Sequence, residues 1–332
     1  MLGLLPNFDA ETCEVSAVKF GGNSPQRRIG QSGQKPYTVD RGILREVLLT
    51  GLESHVSYGK EYTNYSLTDC GIDARFADGT SQTASLLVGA DGVRSVVRRQ
   101  FLPHLKVLDT KSRPIYGKTP LNSSFQSRML PKAMECLSLI KDRKTGSTTL
   151  MEVIRFLPKE QRRDKRDLPN DHVYWVISPS DSSSPATDGQ PKSISQEAVA
   201  EQASKLTAHW HPSLRPLIEL QDTSQTGVFR LLNSDPKSLQ QAWEPNARIT
   251  LLGDAAHAMM PSTASGAVAT LRDADSLSSL IGAHGHGATT QSIARYEAEM
   301  RKYVSEAVAS SAEIGRMSFG MKALADCELV SW

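Results

Sequence analysis

Apolar residues follow two patterns along this chain, and each pattern predicts a type of secondary structure. Spacings of three and four residues predict helices over residues 43–52, 95–100, 197–209, 267–281 and 290–317. The apolar run at Ser85–Val88 is typical of a strand buried on both faces, as in a parallel sheet covered by helices, and Arg248–Leu252 predicts a second buried strand. Met1–Tyr37 shows neither pattern, and we expect it to be irregular.

Shorter signals complete the outline. Strand-like segments are expected at residues 56–58, 65–67, 172–177 and 227–231. Asp78-Gly79 predicts a hairpin turn, because both residues tolerate the positive φ values of a tight turn. Residues 178–195 and the Gly/His-rich residues 282–287 have the composition of loops. Buried strands that alternate with helices predict an α/β fold with an inserted β-rich part.

Composition and charge exclude several classes of protein. The 332 residues carry 38 Lys and Arg against 36 Asp and Glu, so a concentrated basic surface for nucleic acid is not expected. Apolar stretches fall far short of the ~20 residues that span a bilayer, and the first residues lack a secretion signal. The cysteines are scattered and have no metal-ligand spacing: Cys13, Cys70, Cys136 and Cys327. We therefore expect a cytoplasmic protein without a metal site.

Both predicted parallel strands end in glycine and aspartate. Gly89-Ala90-Asp91-Gly92 follows the first strand, and Gly253-Asp254 follows the second. Ligands of open α/β sheets bind beyond the carboxyl ends of the strands, where glycine permits close approach and a carboxylate accepts hydrogen bonds from ribose hydroxyls. Alternatively, each aspartate only caps the helix that follows it.

Taken together, the motifs resemble a known family. The similar segments are Val88–Arg98, Leu252–Pro261 with Leu271–Ala274, Val39–Leu44, and Tyr296-Glu297 with Arg301. They resemble the flavin motifs of FAD-dependent aromatic hydroxylases and related epoxidases, members of the FAD-dependent monooxygenase superfamily. The resemblance is weakest between Lys106 and Leu232.

The resemblance implies a fold and a division into domains. Residues 1–105 and 233–332 would form an incomplete, glutathione-reductase-like FAD-binding domain with a parallel sheet and a long C-terminal helix. Residues 106–232 would form an inserted, β-rich substrate domain. A sheet that lacks two strands would leave an open edge, which the N-terminal segment or a second copy in a homodimer could cover.

The resemblance also implies site residues. If FAD binds, the family positions that would contact it are Arg41, Gly89, Asp91, Gly92, Arg94, Gly253, Asp254, Pro261 and Gly266. The candidates for catalysis are His257, Arg41 and Asp254, and His257 is the one to test first as an acid or base. His209 and His211 lack accompanying ligands, so we expect no metal there.

Two departures from the family pattern lead to the functional hypothesis. Met1–Asp40 contains no GxGxxG turn for the FAD pyrophosphate, and Ala264 stands where a flavin-loop glycine is expected. We therefore expect an enzyme that works without a cofactor. Its substrate would be a hydrophobic small molecule of natural-product type, and its reaction a cyclisation, a cycloaddition or an isomerisation. One alternative is an FAD- and NADPH-dependent hydroxylase or epoxidase whose first βαβ unit is absent from this chain. A degenerate, non-catalytic binding protein is the other alternative.

Overall fold

The computed structural model describes residues 5–18, 39–135, 137–162, 167–179, 194–282 and 287–332. Most of the predicted loop 178–195 and of the predicted connector 282–287 lies outside these residues. The chain divides into two compact units. Unit 1 comprises residues 1–51, 111–230 and 318–321, and unit 2 comprises residues 52–110, 231–317 and 322–332.

The elements of both units are numbered along the chain. The strands are β1 (Leu5–Asp9), β2 (Val15–Val18), β3 (Tyr62–Thr68), β4 (Gly71–Phe76), β5 (Ser81–Ala84), β6 (Leu87–Gly89), β7 (Val107–Asp109), β8 (Ile115–Pro120), β9 (Ser138–Lys141), β10 (Thr148–Ile154), β11 (His172–Ser178), β12 (Asp222–Val228), β13 (Leu232–Ser234), β14 (Ile249–Leu251) and β15 (Glu328–Leu329). The helices are α1 (Arg41–Leu49), α2 (Val96–Phe101), α3 (Ser123–Arg128), α4 (Gln196–Thr207), α5 (Pro216–Glu219), α6 (Pro236–Leu239), α7 (Asp254–His257), α8 (Gly266–Gly282) and α9 (Thr290–Phe319).

Unit 1 is built on a seven-stranded sheet with the order β12-β8-β11-β10-β9-β1-β2. One face of this sheet packs against α3, α4 and α5 and forms the hydrophobic core of the unit. Trp175 of β11 is fully buried in that core, and its indole N–H donates to the Thr119 hydroxyl at 3.0 Å. Because side chains alternate along a strand, the neighbouring residues of β8 and β11 belong to the opposite face.

The expectation that Met1–Tyr37 is irregular is wrong for β1 and β2, while residues 19–38 lie outside the described part of the chain. Strand β1 pairs in parallel with β9, with Asn7 opposite Leu139. Its pairing with β2 is antiparallel. Both strands are too short to show a clear local pattern of apolar residues. Strand β1 is positioned by its pairing with β9, which lies more than a hundred residues further along the chain.

Unit 2 contains a parallel pair of strands and two small antiparallel sheets. β6 and β14 pair in parallel, as expected for the two apolar runs, with Val88 opposite Thr250. The antiparallel sheets have the orders β13-β7-β15 and β3-β4-β5. The core lies between β14, α2, α8 and α9. The predicted mixed α/β class is therefore confirmed.

Helix α9 is anchored to β14 by buried polar contacts. Tyr296 donates to the carbonyl of Leu251 at 2.8 Å. Glu297 accepts from the Thr250 hydroxyl at 2.9 Å and from the indole N–H of Trp243 at 2.8 Å. Burial raises the pKa of Glu297, and these two donors oppose the rise.

The first predicted helix also forms, although its apolar side is only partly covered. The Asp40 carboxylate accepts from the backbone N–H of Gly42 at 2.9 Å and of Ile43 at 3.2 Å, which caps the N-terminus of α1. No residue of α1 is buried. The strand expected at residues 56–58 does not form. Among the described helices, none combines the length and apolar character needed to cross a membrane.

Candidate functional site

The turn between β14 and α7 has a backbone conformation that requires glycine. Gly253 has φ +60° and ψ −145°, a region that other residues rarely adopt. A Cβ atom at this position would lie 2.9 Å from Cγ2 and from Oγ1 of Thr270. The absence of a side chain therefore lets α8 approach the turn closely. Asp254, the next residue, begins α7 and is exposed.

Behind this turn lies a buried hydrogen-bond network centred on Asp273 of α8. Its Oδ2 accepts from the backbone N–H of Gly253 at 2.8 Å and lies 2.6 Å from Nε2 of His257. Its Oδ1 accepts from the hydroxyl of Tyr303 on α9. Asp273 and His257 are both fully buried. The network therefore links the turn to α8 and α9.

Tyr303 is held in its neutral form by its surroundings. Burial raises the pKa of its phenol, and the hydrogen bond to the Asp273 carboxylate raises it further. The guanidinium of Arg272 lies 4.0 Å from the centre of the Tyr303 ring, in a cation–π contact. A neutral Tyr303 remains a hydrogen-bond donor, as the network requires.

His257 has little freedom to act as an acid or base on a ligand. Its Nε2 atom faces Asp273, and its Nδ1 atom is buried without a hydrogen-bond partner among the described residues. The backbone N–H of His257 donates to the carbonyl of Gly253 at 2.9 Å. These contacts hold the turn together.

The turn after β6 uses its aspartate differently. The Asp91 carboxylate accepts from the Ser95 hydroxyl at 2.5 Å, from the N–H of Val96 at 2.7 Å and from the N–H of Val97 at 3.2 Å. It therefore caps α2, which is the alternative interpretation that the sequence left open. No hydrogen bond from a described residue reaches the carboxylate of Asp254. The two aspartates are equivalent in the sequence pattern but not in the structure.

Glycines flank the Asp91 turn on both sides. A Cβ at Gly89 would lie 2.6 Å from Cδ2 of Leu251 and 2.8 Å from Cγ1 of Val97, so this position has no room for a side chain. Gly92 has φ +76° and open space around it. Arg94 follows and is exposed.

Arg98 of α2 joins the two turns, and sequence reasoning did not single it out. Its Nη1 donates to the carbonyl of Ala255 at 2.9 Å, and its Nη2 donates to the carbonyl of Val93 at 2.8 Å. Its side chain is almost completely buried, and desolvation lowers its pKa to about 10. The sequence indicates a buried role for Arg98 only by placing a charged residue within the apolar face of a short helix. Asp273 carried the same signal on α8.

The loop from Pro261 to Gly266 contains Ala264, which stands where the family pattern has a glycine. Pro261–Thr263 form one turn of 3-10 helix, and Ala264 follows with φ +51°. The Ser262 hydroxyl donates to the carbonyl of Ser311 at 2.5 Å, which ties the loop to α9. Ala264 thus adopts a conformation that favours glycine, at a cost of about 1–3 kcal/mol.

The remaining predicted residues lie elsewhere. Arg41 is exposed on α1 in unit 1, whereas Asp254 and His257 share one turn of unit 2. His209 contacts the buried carboxylate of Asp142 at 3.0 Å. In the residues for which the structure gives coordinates, no group of three or more His, Cys, Asp or Glu side chains could hold a metal ion.

The mixed α/β fold and its two glycine–aspartate turns define the class of protein. The chain belongs to the FAD binding domain family, which it matches over residues 31–311. The resemblance to FAD-dependent monooxygenases that the motifs indicated is thereby confirmed.

Known proteins are similar to this chain over nearly its whole length. The dual O-methyltransferase/FAD-dependent monooxygenase CTB3 of Cercospora beticola is 36% identical over 97% of this chain and 40% of that protein. The dual O-methyltransferase/FAD-dependent monooxygenase elcB of Phaeosphaeria nodorum is 33% identical over 88% of this chain and 36% of that protein. The chain thus spans about two-fifths of the length of these relatives.

A solved structure has the same fold. The crystal structure of Klebsiella pneumoniae HpxO, complexed with FAD and uric acid, superposes with a TM-score of 0.70. The match covers 96% of this chain and 72% of that chain, at 18% sequence identity. The likeness at this identity concerns the fold.

The sequence led us to expect a cofactor-independent enzyme that cyclises or isomerises its substrate. These findings show that this expectation was wrong. The chain matches an FAD-binding family and is related to FAD-dependent monooxygenases. The error was to take one missing motif, GxGxxG, and one substituted glycine as loss of the whole site. Contacts with a dinucleotide are distributed over several strand ends, and Ala264 reaches the required backbone conformation at a modest cost.

The residues around Gly253 fit part of FAD. The exposed carboxylate of Asp254 is an acceptor that suits the hydroxyl groups of a ribityl chain or a ribose. Gly253 lets the turn pack closely against Thr270 of α8, while Asp273 and Arg98 hold the backbone of the turn in place. The set of donors and acceptors is therefore compatible with the cofactor of the family.

Proposed function

We propose that this chain is the FAD-dependent monooxygenase part of an enzyme of fungal secondary metabolism. It would transfer one oxygen atom of O2 to a small hydrophobic aromatic molecule, with NAD(P)H as the source of electrons. The proposal is supported by the match to the FAD binding domain family. It is also supported by the 36% identity to CTB3, a dual O-methyltransferase/FAD-dependent monooxygenase.

We assign roles to the residues of the Gly253 turn. Asp254 would accept hydrogen bonds from hydroxyls of the cofactor, and the backbone of Pro261–Gly266 would contact its ring. FAD, when bound and reduced, supplies the activation of O2, and the protein positions and shields the reaction. His257 would maintain the shape of the turn through Asp273. Arg41 and Arg94 remain proposed contacts of the cofactor phosphates or of NAD(P)H.

Unit 2, which contains both glycine–aspartate turns, would bind the flavin, and unit 1 would bind the substrate. This assignment follows the predicted division for residues 106–232 but departs from it at residues 1–51, which the prediction gave to the flavin domain and which belong to unit 1. That the parallel sheet is an incomplete form of a glutathione-reductase-like domain stays a prediction, as does the homodimer.

The sheet face of unit 1 opposite the Trp175 core has the character of a binding surface for an aromatic molecule. Tyr116 and Lys118 of β8 and Tyr174 of β11 alternate with the buried residues of these strands and are half-buried. Lys118 lies opposite Tyr174 in the strand register. Burial raises the pKa of Tyr174, so its phenol is a hydrogen-bond donor near neutral pH.

The first experiment measures FAD binding. The purified chain is titrated against FAD, and the change in flavin fluorescence gives the dissociation constant. Replacing Asp254→Asn should weaken binding by about tenfold, because Asn keeps an acceptor but loses the charge, and hydrogen bonds contribute about 1.5–3 kcal/mol with a charged group against about 0.5–1.5 kcal/mol without one. Asp275→Asn, at an exposed position of α8, is the matched control and should leave the constant unchanged.

The second experiment measures the reaction. NADPH oxidation is followed with FAD and a series of phenols, and mass spectrometry records incorporation of oxygen from isotopically labelled O2. Incorporation of a single labelled atom supports a monooxygenase. A chain that binds no FAD, or that oxidises NADPH without ever labelling any aromatic product, would contradict the proposal.

A further inference from the structure

The carboxylate of Asp91 is directed toward the start of α2, the helix that follows it in the chain. Its two carboxylate oxygens accept three hydrogen bonds from Ser95, Val96 and Val97, at the start of α2. A carboxylate with three donors in place has little capacity left for a ligand. Its effect on a bound cofactor therefore needs another route.

Arg98 provides that route. It lies in the first turn of α2, directly after the residues that Asp91 caps, so the start of the helix determines where its guanidinium lies. The guanidinium spans the carbonyl of Val93, in the Asp91 turn, and the carbonyl of Ala255, next to Asp254. A planar guanidinium can bind two carbonyls at once in fixed directions, which a lysine ammonium does less specifically.

We propose that Asp91 and Arg98 are positioning residues for FAD, which act by fixing the Asp254 turn and do not touch the cofactor. The proposal rests on the proposed function. It deepens that function, because it removes Asp91 from the direct ligands and adds Arg98 to the machinery of the site.

The test is a set of double-mutant cycles read as FAD dissociation constants, obtained by flavin fluorescence on the purified chain. Arg98→Met and Asp91→Ala are each made in the wild-type and in the Asp254→Ala background. The control is Arg99→Met, because Arg99 is the exposed neighbour whose guanidinium lies 5.5 Å from the centre of the Trp332 ring. Far-ultraviolet circular dichroism of each protein without FAD reports whether it folds.

With Asp254 present, both substitutions should weaken FAD binding by about tenfold. With Ala at position 254, both effects should fall to about twofold or less, because no side-chain acceptor is left for them to position. Arg99→Met should change the constant by less than about twofold in either background. General loosening of the fold would weaken binding equally in both backgrounds, so the cycle separates positioning from stability.

Equal effects of Asp91→Ala in the two backgrounds would overturn the proposal, because Asp91 would then influence FAD binding independently of Asp254. Equal effects of Arg98→Met would likewise remove Arg98 from the site. If Arg98→Met does not fold, Arg98→Lys replaces it, with the same loss expected because one ammonium cannot span both carbonyls. A wild-type chain without measurable FAD binding is a separate result that refutes the proposed function itself.

Discussion

Gly253 offers a sharp test of how the candidate site is built, through the substitution Gly253→Ala. The backbone at this position, φ +60° and ψ −145°, costs a residue with a side chain about 1–3 kcal/mol. The new Cβ would also lie 2.9 Å from two atoms of the Thr270 side chain, and such overpacking costs typically about 1–3 kcal/mol. We expect the free energy of unfolding to fall by about 3 kcal/mol in total.

A matched control separates the two contributions. Gly92 has a similar φ of +76°, but a Cβ there would meet no atom within 4 Å. Gly92→Ala should therefore cost only the backbone part, about 1–2 kcal/mol. In a Thr270→Ala background the atom of residue 270 nearest to the new side chain would be its Cβ, at 3.5 Å, which is ordinary contact. Gly253→Ala should then cost about 1 kcal/mol less than in the wild type.

The assay is urea-induced unfolding followed by far-ultraviolet circular dichroism, with free energies taken from the linear dependence on urea concentration. The reasoning is refuted if Gly253→Ala costs no more than Gly92→Ala. It is also refuted if Thr270→Ala leaves the cost of Gly253→Ala unchanged, because the close approach of α8 would then not exist.

Three further outcomes can be measured in the same way. Ala264→Gly should stabilise the chain by about 1 kcal/mol, because glycine relieves the positive φ of +51°; a loss of stability would contradict this. Asp40→Ala should destabilise the chain by about 1 kcal/mol or more, because it removes both the α1 cap and the ion pair with Lys118 at 3.2 Å, whereas no change would show both to be unimportant. Burial raises the pKa of Asp142, but hydrogen bonds led by the one from His209 outweigh burial and leave the pKa lowered. The ionised Asp142 therefore stabilises the fold above the ordinary aspartate pKa, and this stabilisation is lost as the pH falls through the lowered pKa of the folded state. On acidification the wild type should lose more stability than Asp142→Asn. Equal losses in the two proteins would contradict this role of Asp142.

Sequence reasoning predicted much of the framework of the site. Helices α8 and α9 repeat apolar residues over many turns, and β6 and β14 lie in short, mostly apolar segments followed by glycine and aspartate. These are local patterns, and local geometry produces them. The same reasoning erred on the cofactor, because it weighed the missing GxGxxG turn and Ala264 above the turns that are present.

What the sequence alone determined is the family, the helices, the paired strands and the positions of the two glycine–aspartate turns, since each depends on residues that are neighbours in the chain. Only the tertiary structure decided that β1 joins a sheet beside β9, and that Asp91 caps α2 while Asp254 stays exposed. It also decided that Arg98, Asp273 and Tyr303 support the Asp254 turn from three helices. The residues joined by these hydrogen bonds are between 20 and 157 positions apart. A hydrogen bond between such distant residues depends on how the elements pack, which no local spacing of residue types records.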